Sequence, residues 1–127
     1  MARKALYRGK AAEDLASVPL DQFMSLVDSR ARRYLKHLPG DYKQLLAKVK
    51  KVGTSKPIRT RIREAVIIPQ WLGVTFAVHN GKEYKQFTIS AEMMGRRLGD
   101  FSHTTGRVLH SGPGIGATRG SKFMPLK

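Results

Sequence analysis

Cysteine is absent from the 127 residues of the chain. Its absence excludes disulfide bonds, thiolate zinc sites and cysteine nucleophiles, and it is compatible with a reducing compartment. Acidic residues are scarce, with 9 Asp and Glu against 24 Lys and Arg, and none follows Asp100. With so few carboxylates, the chain offers few candidates for a general acid or base, and we expect that it is not an enzyme.

Long hydrophobic runs are missing as well. The longest apolar runs, such as the AVII of residues 65–68, are far too short to cross a bilayer. The N-terminal stretch carries basic side chains without the apolar segment of a secretory signal. We therefore expect a soluble cytoplasmic protein that makes no membrane contact.

What the chain does contain is positive charge, with a formal net charge of +15. Charge of this density opposes a compact fold through self-repulsion. A polyanionic partner removes that repulsion and gains entropy by releasing counterions. Nucleic acid is the partner that this composition favours most, an acidic membrane surface is the second, and a chain that is merely basic is the bland alternative.

The apolar spacing of residues 1–52 predicts a helical N-terminal portion with three helices. Each has a polar residue suited to cap its start: Ser17 in the first, with Pro19 in the first turn, Asp28 or Ser29 in the second, and Asp41 with Gln44 as a capping box in the third. Gly53 is expected to end the third helix. A basic cluster on the second helix is either a solvated face or a nucleic-acid contact: Arg30, Arg32, Arg33 and Lys36.

Residues 53–101 change to a period of two and predict an α+β core with a small mixed or antiparallel sheet. VTFAVHNGKEYKQFTI (residues 74–89) indicates a hairpin around Asn80-Gly81. The apolar phase slips between Tyr84 and Phe87, so we expect a bulge in the returning strand. A short helix is expected from Ser90 to Gly99.

The PIRTRIRE stretch (residues 57–64) carries three arginines at alternate positions. On an extended strand, Arg59, Arg61 and Arg63 share one face about 6–7 Å apart, which approaches the spacing of successive phosphates. Guanidinium groups bind phosphates with two donors at once and stack on bases. The alternative is an exposed basic edge that prevents aggregation, and we favour the binding interpretation.

Residues 102–127 predict an extended, basic, glycine-rich C-terminal tail. The order Gly120-Ser121-Lys122 does not match a phosphate-binding loop, and the GPGIG stretch lacks the strand–turn–helix setting of a dinucleotide fold. Glycines such as Gly114 and Gly116 instead let the main chain approach a sugar–phosphate backbone. We expect the tail to become ordered on binding.

Metal and catalytic sites are not indicated. The four histidines have no ligand spacing, so we expect no metal, no cofactor and no small-molecule substrate. The sequence alone leaves a second binding hypothesis open, in which the basic N-terminal helices make the chain a DNA-binding regulator.

Two stretches resemble the ribosomal protein S19 family of the small subunit. The more specific one is HNGKEYKQFTISAEMMGRRLGDFS (residues 79–102), and the other is the ending GIGATRGSKFMPLK (residues 114–127). The resemblance is strong over residues 53–127 and looser over the first fifty. The ending and the helical N-terminal portion resemble the archaeal and eukaryotic branch of that family.

The resemblance implies a structural constituent of the small ribosomal subunit that binds rRNA in the head region. The neighbouring partner would be a protein of the S13 family, with the large subunit and the A-site tRNA as further contacts. Together with the tail, it gives these rRNA-binding candidates: Arg59, Arg61, Arg63, Lys82, Arg96, Arg97, His103, Arg107, His110, Gly114, Gly116, Arg119 and Lys122.

Overall fold

The computed structural model describes residues 5–108. Its α-helices precede its main sheet, so the predicted α+β class with a helical N-terminal portion is confirmed. In chain order the elements are β1 (Leu6–Tyr7), β2 (Lys10–Ala11), α1 (Ala12–Ala16), α2 (Leu20–Leu26), α3 (Ser29–His37), α4 (Gly40–Val52), β3 (Ile58–Thr60), β4 (Thr75–His79) and β5 (Tyr84–Thr88). Short 3₁₀ turns lie at Pro69–Trp71, Ala91–Met93 and Leu98–Phe101. The predicted tail is described only as far as residue 108.

The starts of two helices differ from the sequence expectation. Ser17 was expected to cap α2, but it closes the unpredicted helix α1, where its hydroxyl donates to the Asp14 carbonyl at 2.7 Å. The cap position of α2 is occupied by Pro19, whose extended backbone leads directly into the helix. Asp41 was expected as a cap of α4 but lies in its first turn, after Pro39. An acidic side chain in the first turn still stabilises the helix, because its negative charge interacts with the positive end of the helix dipole.

The end of α4 agrees with the sequence, and so does its buried face, since the apolar spacing predicts one stripe of Tyr42, Leu45, Leu46 and Val49. Gly53 follows the last helical residue at a φ of 59°, as expected for a glycine that ends a helix. Tyr42, Leu45 and Val49 are buried along one side. Asp28 occupies the predicted cap position of α3.

The main sheet has the strand order β3-β4-β5. β3 runs parallel to β4, with Arg59 opposite Ala77, and β4 runs antiparallel to β5. The sheet is therefore mixed, as predicted. A parallel pair needs a long connection, and here the link from β3 to β4 contains the AVII run, which is buried at 0–2% exposure.

The β4–β5 hairpin is confirmed, but one of its details differs from the prediction. Residues 80–83 connect the two strands, as the Asn80-Gly81 signal predicts. The Asn80 N–H donates to the Glu83 carbonyl at 3.0 Å, and the Asn80 side-chain oxygen accepts from two loop N–H groups. The predicted bulge is absent from these strands, which pair without interruption from His79–Tyr84 to Thr75–Thr88. The apolar phase slips because Tyr84 lies on the outer face of the sheet and is not a core residue.

Aromatic rings form the centre of the core. The rings of Tyr34, Tyr42, Trp71 and Phe76 follow one another with centroid separations of 5.4, 5.7 and 5.0 Å. The Tyr42 hydroxyl donates to the Val66 carbonyl at 3.0 Å, and burial raises the pKa of Tyr42, so the hydroxyl stays protonated. The rings thus join α3 and α4 to the sheet in one core.

The segment after β5 is not the single helix expected from Ser90 to Gly99. It contains a 3₁₀ turn, then a turn at residues 94–96 and a single β-bridge between Arg97 and Val66, then a second 3₁₀ turn. Gly95 adopts a φ of 72°, which an α-helix does not allow, and its N–H donates to the Ile67 carbonyl at 3.1 Å. Further hydrogen bonds join Leu98 to Ala65 and Gly99 to Arg63 at 3.0 and 2.8 Å. Pairing with residues 63–67 therefore outweighs the local helical pattern.

Candidate nucleic-acid interface

Arg59 and Arg61 are exposed beside the outer face of the sheet. Arg59 lies on β3, and its guanidinium carbon is 5.6 Å from the centroid of the Tyr84 ring. Arg61 follows the end of β3, and its Nε donates to the Tyr84 hydroxyl at 3.4 Å. One tyrosine therefore contacts both guanidinium groups, Arg59 over its ring and Arg61 at its hydroxyl, and both groups retain unused N–H donors for an anionic ligand.

Arg63 does not continue this row, contrary to the expected three-arginine face. The strand ends at Thr60, and the guanidinium of Arg63 is half-buried. It donates to the carbonyls of His79, Gly99 and Ser102 at 2.6, 2.8 and 2.6 Å. Arg63 thus links the end of β4, the last 3₁₀ turn and the start of the tail. These three hydrogen bonds give Arg63 a structural role, and they leave few of its N–H groups to donate to a ligand.

A groove lies between α4 and β3 next to Arg59 and Arg61, and we call it the α4–β3 groove. Its volume is ≈ 460 Å³. Lys48 of α4 donates to the Arg59 carbonyl at 2.9 Å, which fixes one wall to the other. Its lining is completed by side chains of both polarities: Asp41, Gln44, Leu45, Thr60, Ile62 and Tyr84.

The basic cluster on α3 separates into structural and exposed members. Arg32 donates to the carbonyls of Met24 and Val27 at 2.8 and 3.2 Å, so it closes the C-terminal end of α2. The exposed members lie on the face opposite buried Ala31 and Leu35: Arg30, Arg33, Lys36 and His37. The exposed part of this cluster is a second positive surface.

The remaining candidates are spread over three loops. Lys82 is exposed in the hairpin loop, and Arg96 is exposed after the first 3₁₀ turn of residues 91–93. Arg97 is half-buried, with its guanidinium carbon 5.9 Å from the Tyr34 ring. His103 and Arg107 are exposed in the extended start of the tail. The other candidates lie outside the described residues: His110, Gly114, Gly116, Arg119 and Lys122.

Within residues 5–108, no group of three His, Cys, Asp or Glu side chains is placed to hold a metal ion. In the same range, no helix is both long and apolar enough to cross a membrane.

Sequence reasoning missed two side chains of the α4–β3 groove. Lys48 was not singled out, although it follows Gln44 at a spacing of four residues on the polar side of α4. Tyr84 was assigned to the apolar positions of the hairpin, yet it is 36% exposed. Only its pairing with His79 in the sheet register shows that it lies on the outer face with Arg59.

This fold and surface define a class, namely a small basic α+β scaffold that holds its cations on the outside of one core. The family model for ribosomal protein S19 matches residues 32–110, which is more than half of the chain. Relatives called small ribosomal subunit protein uS19 are also similar. The chain is 44% identical to the protein of Saccharolobus solfataricus over 95% of this chain and 90% of that one. It is 40% identical to the protein of Cenarchaeum symbiosum over the full length of both.

The chain therefore belongs to the ribosomal protein S19 family. Membership confirms the family resemblance drawn from residues 79–102 and 114–127, and archaeal relatives agree with the predicted branch. It also makes the chain a structural ribosomal protein rather than an enzyme.

Proposed function

We propose that the chain is a structural constituent of the small ribosomal subunit that binds small-subunit rRNA in the head region. The main support for this proposal is the pair of exposed guanidinium groups, Arg59 and Arg61, which both contact Tyr84 at the sheet, in a chain of net charge +15. Its relatives bear the name of a small-subunit protein.

Folded RNA suits this arrangement better than a free nucleotide does. Its phosphates form a dense row of negative charge, and each phosphate contact releases counterions. RNA helices are bound mainly through shape, phosphates and 2′-OH groups. A rigid scaffold with separated cations meets such a surface at several points at once. The proposed contacts among the described residues are Arg59, Arg61, Lys82, Arg96, Arg97, His103 and Arg107.

The proposal extends to the surroundings of the bound chain. A head protein of the S13 family would be its neighbour, and the tail would approach the large subunit and the A-site tRNA. As part of cytoplasmic ribosomes, the chain would be a cytoplasmic protein. These partners rest on family resemblance, whereas the arginine pair rests on geometry.

RNA preference is the property that separates this function from a DNA-binding regulator. In a competition filter assay, we expect labelled small-subunit rRNA to stay bound when duplex DNA of equal nucleotide concentration is added. The exposed α3 cations add positive charge, which attracts DNA and RNA alike. If duplex DNA displaced the rRNA as efficiently as unlabelled rRNA did, the regulator hypothesis would be favoured instead.

A further inference from the structure

We infer that the α4–β3 groove binds one unpaired nucleobase of the RNA, stacked on the Arg59–Tyr84 pair. This inference rests on the proposed rRNA binding and adds a base-binding site to it. A surface that binds RNA only through its phosphates needs only cationic side chains. The α4–β3 groove also contains an aromatic ring, a carboxylate and a side-chain amide.

The first observation is the exposure of an aromatic ring. Tyr84 is the only exposed Phe, Tyr or Trp among residues 5–108, with 36% of its surface accessible. Trp71, Tyr42 and Phe76 are buried, which is where aromatic rings stabilise a fold most. Tyr84 therefore leaves part of its ring beside the groove, where it is open to a ligand.

The second observation is the guanidinium group that lies over this ring. Arg59 sits 5.6 Å above the Tyr84 centroid, and the His79 ring packs edge-on against Tyr84 at 4.9 Å. These contacts restrict the tyrosine and the arginine before any ligand arrives. A planar guanidinium group is itself a stacking surface for bases. Arg59 and Tyr84 thus form a stacked pair that lines the groove, and we place the base against this pair.

The third observation is the polar composition of the opposite wall. Asp41 and Gln44 project from the first turns of α4 and line the groove, whose ≈ 460 Å³ lies within the usual range of small-ligand sites. A carboxylate repels a phosphate but accepts hydrogen bonds from amino groups of bases. A side-chain amide donates and accepts, as a base edge requires.

The charges that line the groove therefore suit the base and the phosphates of a bound nucleotide at two different positions. The base enters the groove, where Asp41 and Gln44 meet its hydrogen-bonding edge. The flanking phosphates stay outside, near Arg61 and the remaining donors of Lys48. A base inside an RNA duplex is stacked and paired, so only an unpaired or flipped base reaches this site.

The test compares single-stranded with double-stranded RNA, using the full-length chain. The probe is a short single-stranded RNA with one 2-aminopurine, whose fluorescence falls when it stacks, alongside a blunt RNA duplex of the same length. Tyr84→Ala should weaken single-strand binding about 5- to 30-fold and abolish the quenching. Tyr84→Phe keeps the ring and should keep both. Duplex binding should change much less than single-strand binding, because Tyr84→Ala removes the stacking ring and leaves every cation in the chain.

Salt dependence supplies a second readout. Tyr84→Ala removes no charge, so the slope of log affinity against log salt should stay unchanged. The base site is wrong if the wild-type chain gives no quenching, or if Tyr84→Ala weakens duplex and single strand equally. Binding of duplex rRNA that survives in the absence of quenching would refute the base site and still support the proposed function. Thermal melting of each variant verifies that it is folded.

Discussion

Replacing Arg63 by Met should lower the free energy of unfolding by about 3 kcal/mol. The side chain donates to three carbonyls, one at the end of β4 and two in the last 3₁₀ turn and the residue that follows it. Methionine preserves most of the aliphatic volume but leaves those acceptors without a charged donor. Water reaches the half-buried site and replaces part of the loss, so the effect is smaller than three full hydrogen bonds. Urea unfolding monitored by Trp71 fluorescence measures it.

Arg61→Met is the matched control, because it removes the same group two residues away from an exposed position. We expect its unfolding free energy to stay within about 0.5 kcal/mol of the wild type. Equal midpoints for the two variants would mean that Arg63 does not hold the segments together. A binding role for Arg63 without a structural one predicts unchanged unfolding and a reduced affinity for rRNA.

Replacing Arg59 and Arg61 together by Ala should weaken rRNA binding by about 100-fold at moderate salt, since hydrogen bonds to charged groups are strong. The slope of log affinity against log salt should fall by about 1.4–1.8, because each lost phosphate contact contributes about 0.7–0.9. A salt titration by filter binding measures both quantities. The variant should remain folded, because both side chains are exposed.

The control for this double variant is Lys50→Ala with Lys51→Ala. These lysines are exposed in the last turn of α4, so their removal produces the same net charge. We expect their slope to change by less than half as much. If both double variants altered the slope equally, total charge and not the position of the arginines would govern binding.

The sequence predicted those structural features that depend only on residues close together in the chain. Gly53 ended α4 as expected, the Asn80-Gly81 signal located the hairpin, and the buried face of α4 followed from its apolar spacing. Glycine geometry and helix periodicity are properties of a few neighbouring residues, so no tertiary information was needed. The family resemblance was equally local, because its motifs lie within continuous stretches.

Prediction failed where distant segments decided the structure. The helix expected from Ser90 to Gly99 is replaced by pairing with residues 63–67, and no periodicity within the segment shows that partner. Gly99 fits this approach because a Cβ there would lie 2.9 Å from the Arg63 carbonyl oxygen. The short strands β1 and β2 were missed since two residues carry too little pattern.

The candidate site shows the same division. Alternation correctly placed Arg59 on an exposed strand position, but it could not show that the strand stops at Thr60 and that Arg63 turns inward. The carbonyls that Arg63 binds lie 16 to 39 residues away along the chain. Likewise, Lys48 meets β3 only because α4 packs beside it.

Sedimentation of the chain with ribosomal particles tests the central claim most directly. In a gradient of cell lysate at low salt, the chain should travel with small subunits, and high salt should release it as the counterion competition grows. Recovery of the chain at the top of the low-salt gradient, free of small subunits, would contradict the account.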